Sequence, residues 1–278
     1  MAEAKVAYNY LGRTGVQVSN LCLGTMTFGE GVMPVATQLN EEMSHKVMDR
    51  YAELGGNFLD TANVYGLGAS ERVVGSWLKK QDRSSVVLAT KVRFPMDRNN
   101  VNKVGLSRRH IVESCEEGLG RLQTNYIDLL QSHAWDNATP IEETLRTLDD
   151  LVRCGKIRYF GVSNVCGWQL QKIVDKIEMM GLNSCVSLQV SMHVDCKTVP
   201  QVSLRWLLQK DVVCSVIIGA TSLKQLEDNM GASTGWALSE EEMSRLDEAS
   251  PRVNLYPYEM IWRPSSVRTN AFNRSNKI

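Results

Sequence analysis

Asp60 and Tyr65 stand five residues apart in the stretch FLDTANVYG, Lys91 ends the run LATK, and His133 ends the run LLQSH. A carboxylate, a phenol, an ammonium and an imidazole gathered at one place can do a specific job. A phenol ordinarily titrates near ~10, too high for easy proton transfer at neutral pH, but a cation within a few ångströms favours the phenolate and lowers that value. Lys91 is the cation at hand, and Asp60 would hold it charged and aimed. His133 would hydrogen-bond a carbonyl oxygen that Tyr65 protonates as charge develops there. This is the acid half of a carbonyl reduction, and it needs a reductant. Each residue alone has an ordinary reading: the aspartate as a cap or turn residue, the tyrosine as a rim contact, the histidine as structural. Four such residues at consecutive strand ends are harder to dismiss. Among the four histidines, His45 and His110 fall in predicted helices and His193 in a connection, which leaves His133 at the mouth.

The elements that must position these groups read as repeating βα steps. After a small hairpin over 6–19, turning at Arg13-Thr14-Gly15, short apolar runs begin at Asn20, Asn57, Ser85, Tyr126, Tyr159, Ser184 and Cys214. They alternate with longer amphipathic stretches, so they read as seven parallel strands with helical crossovers. Thr139-Pro140-Ile141-Glu142 predicts a helix start capped by Thr139 with Pro140 at the first position, and Ser222 with Gln225 and Ser239 with Glu242 are further capping boxes. Gly55 and Gly155 sit where helices should end. Glu71, in the helix ERVVGSWLKK, serves the crossover and is assigned no chemical role. Neither the glycines at Gly24 and Gly29 nor the Gly66-x-Gly68 loop makes G-x-G-x-x-G, which favours a barrel over an open doubly wound sheet. The tail after Pro251 has no periodicity and reads as a loop over one face or a disordered end.

Composition bounds the partners. The 278 residues, 43% hydrophobic, suffice for one barrel domain over 1–278. With 31 basic and 31 acidic residues and no long run of either sign, no nucleic-acid or anionic-membrane partner is expected. Seven scattered cysteines without a C-x-x-C pair suit reduced thiols, and no metal site is expected. No signal-like N-terminus or spanning run is present, so a soluble cytoplasmic protein acting on a small molecule is expected, with homo-oligomerisation left open.

At the quartet the chain resembles the aldo-keto reductase superfamily, whose catalytic Asp, Tyr, Lys and His match Asp60, Tyr65, Lys91 and His133 in order and strand context. The likeness runs through YNYLGRTGVQVSNLCLGTMTFG, FLDTANVYG, LATKV, YIDLLQSHAWD, TPIEETLRTLDDLVRCGKIRYFGVSN, SVIIGATSLKQLEDN and LSEEEMSRLDEAS. With Trp135 after the histidine, it looks closest to the bacterial-type and potassium-channel-β-like branch. The resemblance implies an α/β fold, a TIM (β/α)8-type barrel with an N-terminal β-hairpin, reducing aldehydes or ketones with NADP(H) bound across the mouth. It implies Gly24, Thr25, Met26 and Asp60 along the nicotinamide, and Ser163, Asn164 and Gln189 on its carboxamide. Gly219, Thr221, Gln225, Asp228 and Asn229 would surround the pyrophosphate and adenosine at a helix N-terminus. Tyr65, His133 and Trp135 would face the substrate. Thr221 stands where many relatives carry an arginine for the 2′-phosphate, with Lys224 as a stand-in, so NAD(H) stays open beside NADP(H).

Between Gln189 and Pro200 only about ten residues replace the family's strand, phosphate loop and helix, so the barrel is expected to be shortened by one strand-helix unit, with MHVDC as a short stand-in strand. That shortening keeps a second expectation open: a catalytically weak or inactive barrel acting through protein contacts. A third, Schiff-base chemistry at Lys91, rests on the lysine alone.

Overall fold

Alternation along the strands decides which side chains meet. A computed structural model of the chain describes residues 6–30, 38–97, 99–190 and 200–249. A hairpin of β1 (Tyr8–Tyr10) and β2 (Gln17–Ser19) opens it. Seven parallel strands follow: β3 (Leu21–Gly24), β4 (Phe58–Asp60), β5 (Val87–Val92), β6 (Ile127–Ser132), β7 (Ile157–Ser163), β8 (Cys185–Gln189) and β9 (Val216–Ile218). Leu21, Leu23, Leu59, Leu88 and Leu130 point into a large core shared with the helices, whereas Cys22, Phe58, Ala89 and Leu129 join Leu11 and Val18 of the hairpin in a second core. Successive side chains leave a strand on opposite faces, so both faces are apolar and the strands read as continuous apolar runs.

The sheet order β8-β7-β6-β5-β4-β3-β9 places each strand beside its predecessor and returns the last beside the first. This is the order of a TIM-type barrel. Among the described residues it holds one strand fewer than eight, with β8 and β9 unpaired on their outer sides. The expected stand-in strand at 192–196, His193 and the tail after Pro251 lie outside the described residues.

The crossovers are α1 (Glu41–Glu53), α2 (Ala69–Leu78), α3 (Arg108–Leu122), α4 (Ile141–Arg153), α5 (Gly167–Met180), α6 (Pro200–Leu208) and α7 (Leu223–Met230). His45 and His110 fall in α1 and α3. Gly55 and Gly155 follow α1 and α4 in left-handed backbone, as expected of C-terminal caps. One start signal is corrected. Pro140 itself stands at the N-cap of α4, and no side chain caps that end. Thr139 turns its hydroxyl to Asp136 Oδ2 at 2.7 Å instead, because that carboxylate also gathers the Leu106 and Ala138 amides.

These elements through Ala237 make one compact unit, and among the described residues a second begins at Leu238. The second carries α8 (Glu240–Ala249), which begins with the expected reciprocal box: Ser239 N donates to Glu242 Oε2, and Glu242 N donates to Ser239 Oγ. No helix among the described residues is long and apolar enough to cross a membrane. The cysteines among them are free.

Tyr51 of α1 ties the sheet to its first crossover. Its fully buried hydroxyl meets Ser19 Oγ, donates toward the Leu21 and Phe58 carbonyls and accepts from the Phe58 amide at 2.7–3.2 Å. Tyr51→Phe leaves these groups short of a partner and should cost about 1–3 kcal/mol, read as a lower urea midpoint with an unchanged slope.

Candidate active site

Asp60, Lys91 and Gln131 share the strand parity of Phe58, Ala89 and Leu129, so they rise from the hairpin-covered face at the C-terminal ends of β4, β5 and β6. The chain after β4 continues along β5, with Thr61 N donating to Ala89 O and Asn63 N to Lys91 O. It then turns back, Tyr65 N donating to Ala62 O, which delivers the phenol beside Lys91. Lys91 Nζ donates to Asp60 Oδ1 at 2.5 Å, to Thr61 O at 2.9 Å and to Tyr65 Oη at 3.2 Å. The His133 ring stands edge-on to Tyr65 with centroids 5.8 Å apart, and Phe94 packs on it at 4.8 Å. The four expected residues therefore meet.

Burial and charge set their protonation. Burial pulls the Lys91 ammonium down, but the Asp60 charge and then Tyr65 outweigh it, so Lys91 is held above the usual lysine range. Burial pushes the Asp60 carboxyl upward against the pull of Lys91. Tyr65 corrects an expectation: Lys91 does pull it down, but burial is the larger effect and the Asp60 charge adds to it, so the phenol lies above 10.0. His133 is lowered to about 4 by burial and by the cations of Lys91 and Arg93, and is a neutral imidazole at neutral pH.

Gln131 was missed by the sequence reading, although it lies two residues before His133 with the parity of Lys91. Its Nε2 donates to Gln189 Oε1 at 2.9 Å and reaches Asp60 Oδ2 at 3.5 Å. Trp168, 60% exposed in the first turn of α5, also carried no signal; it meets Trp135 edge-on at 5.9 Å. The remaining expected positions follow the same strand ends. Gly24 ends β3, Thr25 is buried and donates to Asp60 O, and Met26 is half exposed. Ser163 and Gln189 end β7 and β8, and Asn164 Nδ2 donates to Ser163 Oγ and to His133 O.

The last group lies beyond β9, beside β3, and its polar side chains already have partners within the protein. Thr221 N and Oγ1 donate to Gln225 Oε1, Asn229 Nδ2 donates to Gly219 O, and Asp228 accepts from Gln201. Ser222 caps the amide of Gln225. A surface hollow of about 580 Å³ lined by Leu78, Arg83, Glu116 and Gln123 contains none of the four. It lies toward the N-terminal ends of the strands, where barrels carry stability rather than chemistry.

Parallel strands that lift polar groups to one edge define a TIM-type barrel with its site at the strands' C-terminal ends. The chain belongs to the aldo/keto reductase family, whose model matches residues 20–196 and 192–251. It is 39% identical over 195 residues to norsolorinic acid reductase B of Dothistroma septosporum, covering 68% of this chain and 50% of that protein. It is 41% identical over 187 residues to the "uncharacterized oxidoreductase YrpG" of Bacillus subtilis, covering 63% of this chain and 55% of that one. Against aryl-alcohol dehydrogenase GME11368 of Pestalotiopsis microspora it is 37% identical over 164 residues, covering 56% and 42%. The chain spans about half the length of the relatives it matches.

A histidine lowered in the folded chain takes its proton later there than when unfolded, where about 6.5 is usual. Stability should therefore fall as pH drops from about 6.5 toward about 4, and should stop responding to this group below that. The measurement is a nuclear magnetic resonance titration of the His133 ring, which is expected to remain neutral down to about pH 4.

Proposed function

We propose that the protein reduces aldehydes or ketones to alcohols with NADP(H), using Tyr65 as general acid. One observation carries the reading: a single buried ammonium, Lys91 Nζ, lies within 2.5 Å of Asp60 Oδ1 and 3.2 Å of Tyr65 Oη. With its pKa raised, Tyr65 keeps its proton at neutral pH, and Lys91 stabilises the phenolate once that proton has passed to the carbonyl oxygen. Asp60 keeps the ammonium charged and aimed. A neutral His133 orients the carbonyl by hydrogen bonding and leaves the proton delivery to Tyr65. NADPH, when bound, supplies the hydride.

The residues present fit the nicotinamide end of that cofactor. Among the described residues, five of the seven buried side-chain polar atoms without a partner lie in consecutive strand-end loops: Thr27 Oγ1 after β3, both Asn63 side-chain atoms after β4, Arg93 Nε after β5 and His133 Nδ1 after β6. Buried polar groups need partners, so this edge suits a polar ligand. Ser163, Asn164 and Gln189 would hold the carboxamide. For the phosphates, the described residues offer the start of α7 and the exposed Lys224. NADP(H) is preferred on family membership, and NAD(H) is the competitor. Phe94 packed on His133, and the Trp135–Trp168 pair in the loop and helix that follow β6 and β7, suit an aromatic carbonyl substrate, in keeping with relatives named norsolorinic acid reductase and aryl-alcohol dehydrogenase.

A second reading, a weak or inactive barrel acting through protein contacts, is favoured by the outer sides of β8 and β9, which have no strand partner among the described residues. Turnover separates the two. On the first reading NADPH fluorescence saturates on titration, 4-nitrobenzaldehyde is reduced, and Tyr65→Phe lowers kcat by about 10²–10⁴-fold. Trp168→Ala should raise KM for the aromatic aldehyde with little change in kcat. Absence of saturable NADPH binding would sink the first reading, and turnover abolished in Tyr65→Phe would sink the second.

A further inference from the structure

The turn that carries Tyr65 closes its own backbone hydrogen bonds, Leu67 N donating to Val64 O, but only in a strained conformation. Tyr65–Gly68 form a short 3-10 turn in which Gly66, Leu67 and Gly68 all adopt left-handed backbone, with φ of 56°, 50° and 86°. Leu67 pays a steric cost there that glycine avoids. Something beyond the turn must fix it, and the first turn of α2 supplies the anchors. Ser70 Oγ donates to Thr25 O at 2.7 Å and meets Thr61 Oγ1 at 3.0 Å, tying α2 to the ends of β3 and β4.

Glu71 is the stronger anchor. Its side chain is only 1% exposed, with Oε1 accepting from Thr90 Oγ1 at 2.7 Å and Oε2 from Arg121 Nε at 2.6 Å. Thr90 is the neighbour of Lys91 on β5, and the two side chains leave opposite faces of that strand. Arg121 comes from α3, where its aliphatic stem lies against Gly68: a Cβ on Gly68 would come within 2.6 Å of Arg121 Cδ. The close approach of α2 and α3 at Gly75, whose Cβ would meet Arg121 O at 2.2 Å, holds that stem in place. One carboxylate thus joins the segment following Tyr65, the strand carrying Lys91 and the helix that backs the turn.

We infer that Glu71 and Arg121 are positioning residues that fix Tyr65 against Lys91, acting through the turn and through Thr90 without touching the reacting groups. This rests on the proposed role of Tyr65 as proton donor. A misplacement of about 1 Å at a reacting group costs far more in rate than in binding. Glu71→Gln and Arg121→Met should therefore lower kcat about tenfold with KM held within about twofold. The isosteric Thr90→Val removes one tie without a charge and should give a smaller fall of the same kind.

Stability alone would also fall in these variants, so the decisive readout is the Tyr65 phenol. Ultraviolet difference titration, with Tyr65→Phe as the subtraction, is expected to show its midpoint moving toward the free-phenol value as the turn leaves its buried seat. Asp149→Asn, which breaks a fully buried carboxylate's bonds to Asn183 and Arg153 elsewhere, is the stability control and should leave that midpoint in place. The double variant Glu71→Gln/Arg121→Met leaves no buried charge unpaired, so its Tm should recover while kcat stays low. An unmoved Tyr65 midpoint in both single variants, or kcat returning with Tm in the double variant, overturns the inference. If the parent protein reduces no carbonyl with NADPH, the proposed function fails, and the Tyr65 titration decides the positioning role by itself.

Discussion

The buried pair of Lys91 and Asp60 constrains everything around it. Taking two charges out of water costs several kcal/mol per ion, repaid only when the geometry is close and the remaining hydrogen-bonding capacity is used. Lys91 Nζ spends its donors on Asp60, the Thr61 carbonyl and Tyr65, while Gln131 approaches the second Asp60 oxygen. Those partners come from β4, the turn after it, β5 and β6, so the pair fixes their relative register. A slip of one residue in β5 would carry Lys91 to the helix-covered face and leave Asp60 buried without a cation. The apolar alternation below the pair enforces the same register, with Phe58, Ala89 and Leu129 packed over the hairpin.

The same burial determines where protons sit. A group is charged in a dry site only if an opposite charge is close, and Lys91 has Asp60. Burial and the Asp60 charge outweigh the pull of Lys91 on Tyr65, and burial and the cations of Lys91 and Arg93 act together on His133, so the phenol keeps its proton and the imidazole refuses one. The cation that would stabilise a phenolate is already in place, but the cost of forming one is not met until negative charge develops elsewhere. Such a site holds its proton at rest and gives it up only to an oxygen that is gaining charge.

What could be read from the sequence followed from periodicity and strand ends. Inner strands buried on both faces are short unbroken apolar runs, and the part-exposed β8 and β9 at the edges keep that pattern, so all seven were visible, and a polar residue closing such a run is conspicuous, as Asp60, Lys91 and His133 are. Gln131 lay inside its run and escaped, although the parity it shares with Lys91 was there to find. Thr139 was misread as a cap because its competing acceptor, Asp136, had no sequence sign of being turned toward it. The raised Tyr65 value could not be anticipated, since it depends on how deeply the turn is buried. Glu71 was passed over for a related reason: its partners Thr90 and Arg121 are 19 and 50 residues away, and no spacing rule links them.

The sheet order separates two questions that the shortened barrel raises. The acid, lysine and histidine rise from β4, β5 and β6, and two further strands lie between this group and either edge: β7 and β8 on one side, β3 and β9 on the other. A strand's side-chain positions are fixed by its ladder neighbours and by the faces it packs against, so the quartet's geometry does not require that β8 and β9 be joined. The groups expected at the pyrophosphate and adenosine are different: they follow β9, at the edge itself, where one neighbour is missing among the described residues. Whatever satisfies the outer backbone of β8 and β9 therefore bears on how a dinucleotide is held, and much less on how a proton is delivered.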